Sequence, residues 1–353
     1  MIIYSKSSGL NNAAAGKLET PIKMIIEHES EKLSAAGGIM DSLFNVEKSS
    51  RFGETIVGTN EFDVFRAAEE GAGAEGDTVV ETYRKFIEHI QFMKEFTISA
   101  EMMEDAAFGV ATDAKRRAEN FTRAYYKTMN KICETALSGA TVSNAVFAKA
   151  ILDLTSPDGL PLFSSAHTYG SAMGKNGTQS NFFCGDIFST GTDDNRKASA
   201  AAFEEALSEL SVKIRNMRDE NGEPLGYTAD TIILPGNRPE AESIARKVTL
   251  TPGALGNNYN DVNLHFGNWK VIVMPSWQAP DNRVMIMSSE ANKALSGNMF
   301  FNRVPLTVSN WVDNHTGNYI WNGRCRFGVG FGSYKHILLA VDSQDGVNGA
   351  EAL

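Results

Sequence analysis

The stretch Thr155–Gly170, TSPDGLPLFSSAHTYG, combines an Asp, a pair of adjacent Ser and a His. A nucleophilic hydrolase uses these residue types: the hydroxyl attacks, the His takes its proton and the carboxylate orients the His. If the chain is extended here, the side chains of Ser165 and His167 point to the same side. The stretch therefore raises the hypothesis of a Ser/His hydrolase built on these two residues.

The same stretch is also typical of a structural turn. Pro157 fixes its own φ and Gly159 takes φ > 0 freely, so SPDG favours a β-turn. The apolar residues LPLF that follow are expected to anchor the loop in a core. The stretch lacks the strained G-x-S-x-G elbow of α/β-hydrolases. We therefore interpret it as a turn and predict that the protein is not an enzyme, with no catalytic residue.

Two further stretches resemble nucleotide-binding motifs. GAGAEG at 71–76 matches G-x-G-x-x-G, but the carboxylates around it would repel phosphate, and the residues after it are typical of a strand instead of a helix. GSAMGKNGT at 170–178 is one residue short of the P-loop spacing, and Asn176 stands where Ser or Thr would bind Mg²⁺. The six His show no metal-ligand spacing. We predict no cofactor and no metal site.

Composition limits the function further. The 353 residues are 42% hydrophobic and 22% charged, which is usual for a globular protein. The formal net charge of −10 excludes a protein that reads nucleic acid, although a negative wall would enclose DNA without binding it. The three scattered Cys predict neither disulfides nor a zinc site. The start lacks a signal peptide, and no apolar run approaches the ~20 residues of a membrane span, so no membrane partner is expected.

The first hundred residues read as extensions with little core of their own. Residues 1–50 are predicted to form an arm with a short helix, in which Thr20 is the N-cap and Pro21 the first helical residue. Residues 51–98 are predicted to form a long β-hairpin whose two extended segments flank the GAGAEG turn. Alone such segments bury little, so we expect them to lie on a neighbour.

A long amphipathic helix is the clearest signal in the sequence. Apolar residues recur at steps of three and four, the helical period. These residues are Ala114, Ala118, Phe121, Tyr125, Met129, Ile132 and Ala136. Gly139 is expected to end the helix. A helix of about 26 residues would be ~39 Å long, which suits the spine of a scaffold.

The second half of the chain alternates helices and strands. Residues 197–218 have a helical pattern, TADTIILPG is typical of a buried strand, and Asn237 is the expected N-cap of the next helix. The polar loop Thr249–Asp261 follows, and the remainder is rich in strands.

The order of these parts resembles the major capsid protein of tailed phages, which has the Hong Kong 97-type fold. TISAEMMEDA is similar to the entry into the spine helix of that family, and YTADTIILPGNRPEAESIARK resembles its axial-domain strand and helix. LTVSNWVDNHTGNYIWNGRCRFGVGFGSYKHILLA resembles its closing peripheral strands. SPDGLPLFSSAHTYG is similar to a D-G-x-x-L-F-x-x-x-H segment of Mu-like major head subunits.

This resemblance implies an α+β fold with four parts. They are an N-terminal arm at 1–50, an extended β-hairpin loop at 51–98, a peripheral domain with the spine helix at 99–196 and 301–353, and an axial domain at 197–300. The implied function is a major capsid protein that assembles into hexamers, pentamers and an icosahedral head shell around double-stranded DNA. An encapsulin-type compartment is the alternative with the same fold, and a Ser/His hydrolase is the alternative of another class.

The resemblance also implies partners and contact residues. The chain itself is the main partner; a separate scaffolding protein is expected because the arm starts near Met1, and a portal and a decoration protein are further implied partners. The expected location is the virion, after synthesis in the host cytoplasm. The expected contacts between subunits are Arg66, Asp77, Tyr83, Lys85 and Phe86 in the extended loop, and Leu255, Asn257 and Tyr259 in the axial loop.

Overall fold

The computed structural model describes the chain except residues 1–2, 5–12, 102–109, 172–173, 192–196, 254–261 and 344–346 and positions 61, 63, 64, 66, 68, 69, 72, 74, 75, 77 and 78. The chain divides into two units. Unit 1 comprises Met1–Glu54, Ile87–Cys133 and Phe300–Val329, and unit 2 comprises Thr55–Phe86, Glu134–Met299 and Gly330–Leu353.

Both units contain helices and strands. The helices are α1 (Ala13–Ala36), α2 (Ile39–Leu43), α3 (Val110–Ser138), α4 (Ala200–Arg215), α5 (Pro239–Leu250) and α6 (Ser289–Ala294). The strands are β1 (Ile3–Tyr4), β2 (Asn45–Lys48), β3 (Gly53–Thr59), β4 (Glu81–Glu88), β5 (Ile90–Ile98), β6 (Asn144–Phe147), β7 (Ala150–Asp153), β8 (His167–Tyr169), β9 (Gly177–Gln179), β10 (Phe182–Gly185), β11 (Ser189–Thr190), β12 (Lys197–Ala198), β13 (Thr231–Pro235), β14 (Lys270–Met274), β15 (Arg283–Met287), β16 (Asn298–Val312), β17 (Tyr319–Phe331), β18 (Ile337–Asp342) and β19 (Glu351–Ala352).

The core of unit 1 lies between a five-stranded sheet and two helices. β17 pairs with β5 on one side and with β16 on the other, and β1 and β2 pair with β16. The apolar faces of α1 and α3 pack on this sheet. The buried residues of the cluster are Ile22, Ile26, Ile98, Ala114, Ala118, Phe121, Leu306, Val308 and Trp321. The predicted helical period is confirmed, and α3 ends directly before Gly139 as expected.

Gly323 and the ion pair of Arg123 with Glu29 contribute to the close packing of unit 1. A Cβ at Gly323 would lie 2.2 Å from the ring of Phe121, so only glycine lets α3 approach β17 this closely. Arg123 Nε of α3 donates to Glu29 Oε1 of α1 at 2.7 Å, which fixes the two helices against each other.

Two expectations about the first hundred residues are wrong. α1 begins at Ala13, so Thr20 and Pro21 lie inside the helix; the run of Ala before them supplies the propensity to start earlier. β5 is not the returning arm of a hairpin with β3, because it pairs antiparallel with β17 along its whole length. Among the described residues, the hairpin sheet consists of β3 and β4. The division into peripheral and axial domains stays a prediction.

The core of unit 2 is a six-stranded mixed sheet covered by α4 and α5. Its strand order is β14-β13-β15-β18-β10-β19. β13, β15 and β18 are short apolar runs that are buried almost throughout. From the helices Phe203, Leu207, Leu210, Ile244 and Val248 pack on the sheet, and Phe188 stacks on Phe203 with ring centroids 4.7 Å apart. The expected N-cap Asn237 instead bonds the backbone of Ala279, and Arg238 precedes α5 without a side-chain cap.

Two chain-wide features bear on function. The three Cys of the sequence are all buried and unpaired in disulfides. Burial raises the pKa of the Cys325 thiol to about 12. Within the described residues, no helix has the length and apolar character needed to cross a bilayer.

Candidate assembly surfaces

His167 is the centre of the stretch that resembles a hydrolase site. The ring is fully buried, with Nδ1 2.7 Å from Asp158 Oδ2 and Nε2 3.0 Å from the carbonyl oxygen of Leu162. It stacks on Tyr334 with ring centroids 3.8 Å apart and planes 3° from parallel. The turn predicted at SPDG, which precedes His167 in the sequence, is confirmed because Gly159 has a φ of 82°.

This geometry makes His167 a poor general base. Both ring nitrogens face acceptors, so the ring that satisfies both carries a proton on each nitrogen and has no free lone pair. Burial opposes ionisation of Asp158, but the hydrogen bond and charge of His167, with Ser156 and the Leu160 N–H, outweigh it and lower the carboxyl pKa. With both nitrogens occupied, the ring has none left to activate the half-buried Ser165. The arrangement holds a loop together.

Two of the predicted contact residues, Tyr83 and Lys85, make contacts within their own chain at the β3–β4 hairpin. Lys85 is buried, and its Nζ donates to Asp153 and Thr155. Tyr83 lies over Gly58, where a Cβ would come within 2.2 Å of the ring. Burial and the charge of Glu220 raise the pKa of Tyr83 to about 12. Both side chains are therefore engaged within their own chain.

Next to Tyr83 lies a cavity of about 210 Å³ in unit 2. It is lined by Thr82, Tyr83, Pro157, Asp158, Thr168, Ser171, Glu220, Ser333, Tyr334 and Lys335. The charged groups in it are paired: Lys335 Nζ donates to Glu220 Oε1 at 2.7 Å, and Glu220 Oε2 accepts from the Gly170 N–H at 2.8 Å. These pairs join the turn after α4, which contains Glu220, to the segment between β17 and β18 and to the end of β8.

The hairpin and the segment that joins its two strands expose apolar side chains. Phe86 is 51% exposed, and Phe62 and Phe65, beyond the end of β3, are 70% and 107% exposed. Val57 and Val79 are exposed as well. We call these five residues the hairpin face. The predicted contacts Arg66 and Asp77 lie outside the described residues.

A second exposed apolar surface flanks the polar loop Thr249–Asp261, which is the predicted axial loop. The Asn263 amide donates to the carbonyl oxygens of Val248 and Thr251, which ties the segment after the loop to the end of α5. The exposed residues around this tie are Leu250, Val262, Leu264 and Phe266, which we call the axial rim. The predicted contacts Leu255, Asn257 and Tyr259 lie outside the described residues. An alternation of apolar residues in DVNLHF signals the rim, but the sequence reading took the loop as polar.

The sequence also missed an exposed pair on the small β6–β7 hairpin. Val146 and Ile151 oppose each other across the strands, and each is 71% exposed. The turn between the strands has positive φ at Ala148 and Lys149, 47° and 73°. Because such turns usually contain Asn or Gly, the residue types Ala and Lys gave no sign of a turn here.

In the described part of the chain, no group of His, Cys, Asp and Glu could hold a metal ion.

Comparison with known families decides between the hypotheses. A family described as phage capsid protein matches residues 82–340. The chain belongs to this family. A search of curated protein sequences found no match.

The capsid subunit is similar to subunits of solved phage capsids, and the fold is shared with the first of those that follow. The capsid of Ralstonia phage GP4 is 10% identical with a TM-score of 0.51, over 86% of this chain and 87% of that chain. A structure of Mycobacterium phage Patience is 13% identical with a TM-score of 0.49, over 98% and 92% of the two chains. The capsid of Myoviridae phage XM1 is 14% identical with a TM-score of 0.48, over 86% and 92%.

These findings confirm the fold and the function expected from the sequence. The capsid subunit has the Hong Kong 97-type fold, with mixed helix and sheet. It is a phage major capsid protein that self-assembles into the head shell of the virion. The encapsulin and hydrolase alternatives are not favoured. The family is structural in character.

Proposed function

We propose that copies of the capsid subunit join into hexamers and pentamers through the hairpin face and the axial rim. The observation that carries this proposal is the exposure of Phe62, Phe65 and Phe86 on a hairpin whose base is fixed by Lys85. A two-stranded hairpin is only marginally stable by itself in water. Exposed aromatic residues on such an element are well suited to pack on a neighbouring subunit.

The energetics favour many modest contacts over one strong contact. Burying a Phe side chain contributes about 1.5–3 kcal/mol. Each subunit of a closed ring both gives a hairpin and receives one, so the contributions add up around the ring. The predicted contacts Phe86, Leu255, Asn257 and Tyr259 belong to this proposal, as do Arg66 and Asp77.

We propose that the closed icosahedral shell encloses double-stranded DNA without reading its sequence. The net charge of −10 would repel the phosphates on average, so the wall would hold the DNA without gripping it. A separate scaffolding protein would direct closure, a portal would occupy one vertex, and a decoration protein is a further partner. Synthesis would take place in the host cytoplasm.

Removing the hairpin tip tests this proposal without disturbing the core. The Asn60 N–H donates to the Val80 carbonyl at 3.2 Å, and the Val80 N–H donates to Asn60 Oδ1 at 2.6 Å. Residues 61–79 can therefore be replaced by a short Asn-Gly link while β5 stays in its sheet. We expect a folded subunit that forms no shells, judged by circular dichroism and by negative-stain electron microscopy with and without a scaffolding protein.

A surface substitution elsewhere serves as the matched control. Val212 on α4 is 50% exposed, similar to Phe86, and Val212→Asp should assemble as the unchanged chain does. Phe86→Asp should lower the yield of shells. Normal shells from the chain without the hairpin tip would overturn the proposal.

A further inference from the structure

A directed chain of hydrogen bonds holds His265 at the axial rim. Trp269 Nε1 donates to His265 Nδ1 at 3.2 Å, His265 Nε2 lies 2.9 Å from Ser208 Oγ, and Ser208 Oγ donates to the carbonyl oxygen of Glu204 at 3.0 Å. All four residues belong to unit 2. These hydrogen bonds connect the rim segment to α4, because His265 lies between Leu264 and Phe266 of the rim and Ser208 lies on α4.

The donors in this chain fix the state of the imidazole. An indole N–H can only donate, so Nδ1 must be the unprotonated nitrogen. The single ring proton then lies on Nε2, where it is given to Ser208. A second proton on Nδ1 would place two donors face to face at His265 and Trp269. The neutral ring is thus the form that this geometry accepts.

The surroundings of the ring support the neutral form. His265 is only 8% exposed, and burial lowers its pKa from the ordinary value. Glu204 on α4 opposes this through its charge and its backbone carbonyl, but the effect of burial is larger. From the end of α5, the contacts to this segment come from uncharged groups: Asn263 bonds Val248 and Thr251, and the Gly267 N–H donates to the Thr249 carbonyl.

We infer that His265 is a pH-sensitive clasp of the axial rim. With a neutral ring it joins Trp269, directly before β14, to Ser208 of α4; with a second proton it keeps the Ser208 bond but loses the Trp269 bond, so the turn between His265 and Trp269 opens. Because the bonds of Asn263 to Val248 and Thr251 involve no titratable group, they persist when the ring is protonated. The opening is therefore local, and it changes how Leu264 and Phe266 are presented.

The fluorescence of Trp269 reports directly on this clasp. The full chain is titrated from pH 8 to pH 5 at a concentration too low for assembly, and the signal of Trp269→Phe is subtracted to remove the other three Trp. We expect an emission change with its midpoint below about pH 6.5, the ordinary His value. It should be absent from His265→Asn and unchanged in His315→Asn, whose His is exposed.

Hydrogen exchange gives a second measurement that does not depend on the His265 variant folding. Peptides covering residues 262–268 should exchange about fivefold faster below the midpoint, the effect of losing one hydrogen bond of about 1 kcal/mol. In Trp269→Phe the same peptides should exchange faster already at neutral pH and respond no further to acid. The same transition in His265→Asn as in the unchanged chain, or none above pH 5, would overturn the inference.

A third measurement relates the clasp to assembly and rests on the proposed function. If the rim is a subunit contact, shell yield should fall across the same pH interval in the unchanged chain but not in His265→Asn. A fluorescence transition without any change in yield would leave the clasp in place and count against the rim as a contact. The two conclusions are therefore separable.

Discussion

His167 and His336 are both fully buried in unit 2, yet their surroundings favour opposite charge states. The ring of His167 lies between two acceptors, the Asp158 carboxylate and the Leu162 carbonyl. His336 Nε2 pairs with the neutral Asn298 Oδ1 at 2.9 Å, and burial lowers its pKa to about 3. Burial alone therefore does not decide the charge of a histidine. The partners of its two nitrogens decide it, and four predictions test that difference.

The largest effect is expected from removing the carboxylate beside His167. Asp158→Ala removes the carboxylate that faces Nδ1 of the buried His167 ring, and breaking this buried pair should lower the free energy of unfolding by about 3–5 kcal/mol. Urea denaturation of the unassembled subunit measures the loss. The double variant Asp158→Leu, His167→Phe should lose less than the single one, because no ring nitrogen is left buried without its partner. A larger loss in the double variant would contradict the assigned ion pair.

The pH dependence of stability should separate the two histidines. His336 is native in its neutral form, so its contribution is complete above the ordinary value of 6.5 and is lost as the pH falls towards its folded value of about 3. The slope is about 1.4 kcal/mol per pH unit for one proton. Burial also lowers the pKa of His89, so the stabilising contribution of His89 is likewise lost as the pH falls.

The ion pair of Asp158 responds at lower pH. Its folded pKa is lowered, so its contribution persists above the ordinary value of 3.8 and is lost only below it. Between pH 6 and pH 4, His336→Gln should therefore flatten the dependence of unfolding free energy on pH, measured by urea titrations at each pH. An unchanged slope in His336→Gln would contradict the neutral state of this His.

A smaller effect is expected from the ring that stacks on His167. Tyr334→Phe keeps the stack and loses the hydroxyl bonds to Gln179 and Thr168, whereas Tyr334→Leu loses the stack as well. A cation over an aromatic face contributes about 2 kcal/mol when it is desolvated. Tyr334→Leu should therefore unfold with about 1–2 kcal/mol less free energy than Tyr334→Phe. Equal stabilities would speak for a neutral His167.

The smallest effect is expected at Ser165. The nitrogens of His167 are both engaged elsewhere, so Ser165→Ala should change stability by less than about 0.5 kcal/mol. A fluorophosphonate probe should leave the unchanged chain unlabelled, as read by mass spectrometry. Labelling that disappears in His167→Ala would restore the hydrolase hypothesis.

The sequence predicted those features that depend on local pattern. The helical period from Ala114 to Ala136 gave α3 and its end, because an amphipathic helix shows its period in its own residues. The turn at Gly159 was likewise readable from residue types alone. The family resemblance added the fold, which no short stretch contains.

Features that depend on distant partners could not be predicted. Tyr334 completes the surroundings of His167 from 167 positions further along the chain, and nothing local marks it. β5 was assigned to the wrong sheet because a strand pattern shows its two faces but not its partner. Lys85 was expected at a subunit contact, but its bond to Asp153 became evident only with β7 beside it.

The burial of all three cysteines has a practical consequence for the assembled particle. A thiol whose pKa is raised to about 12, as at Cys325, is almost never the reactive thiolate near neutral pH. A maleimide or a gold label would therefore find little to react with on an unmodified shell. A single Cys introduced at an exposed position such as Val212 would provide one reactive thiol per subunit, at which a chosen label could be attached.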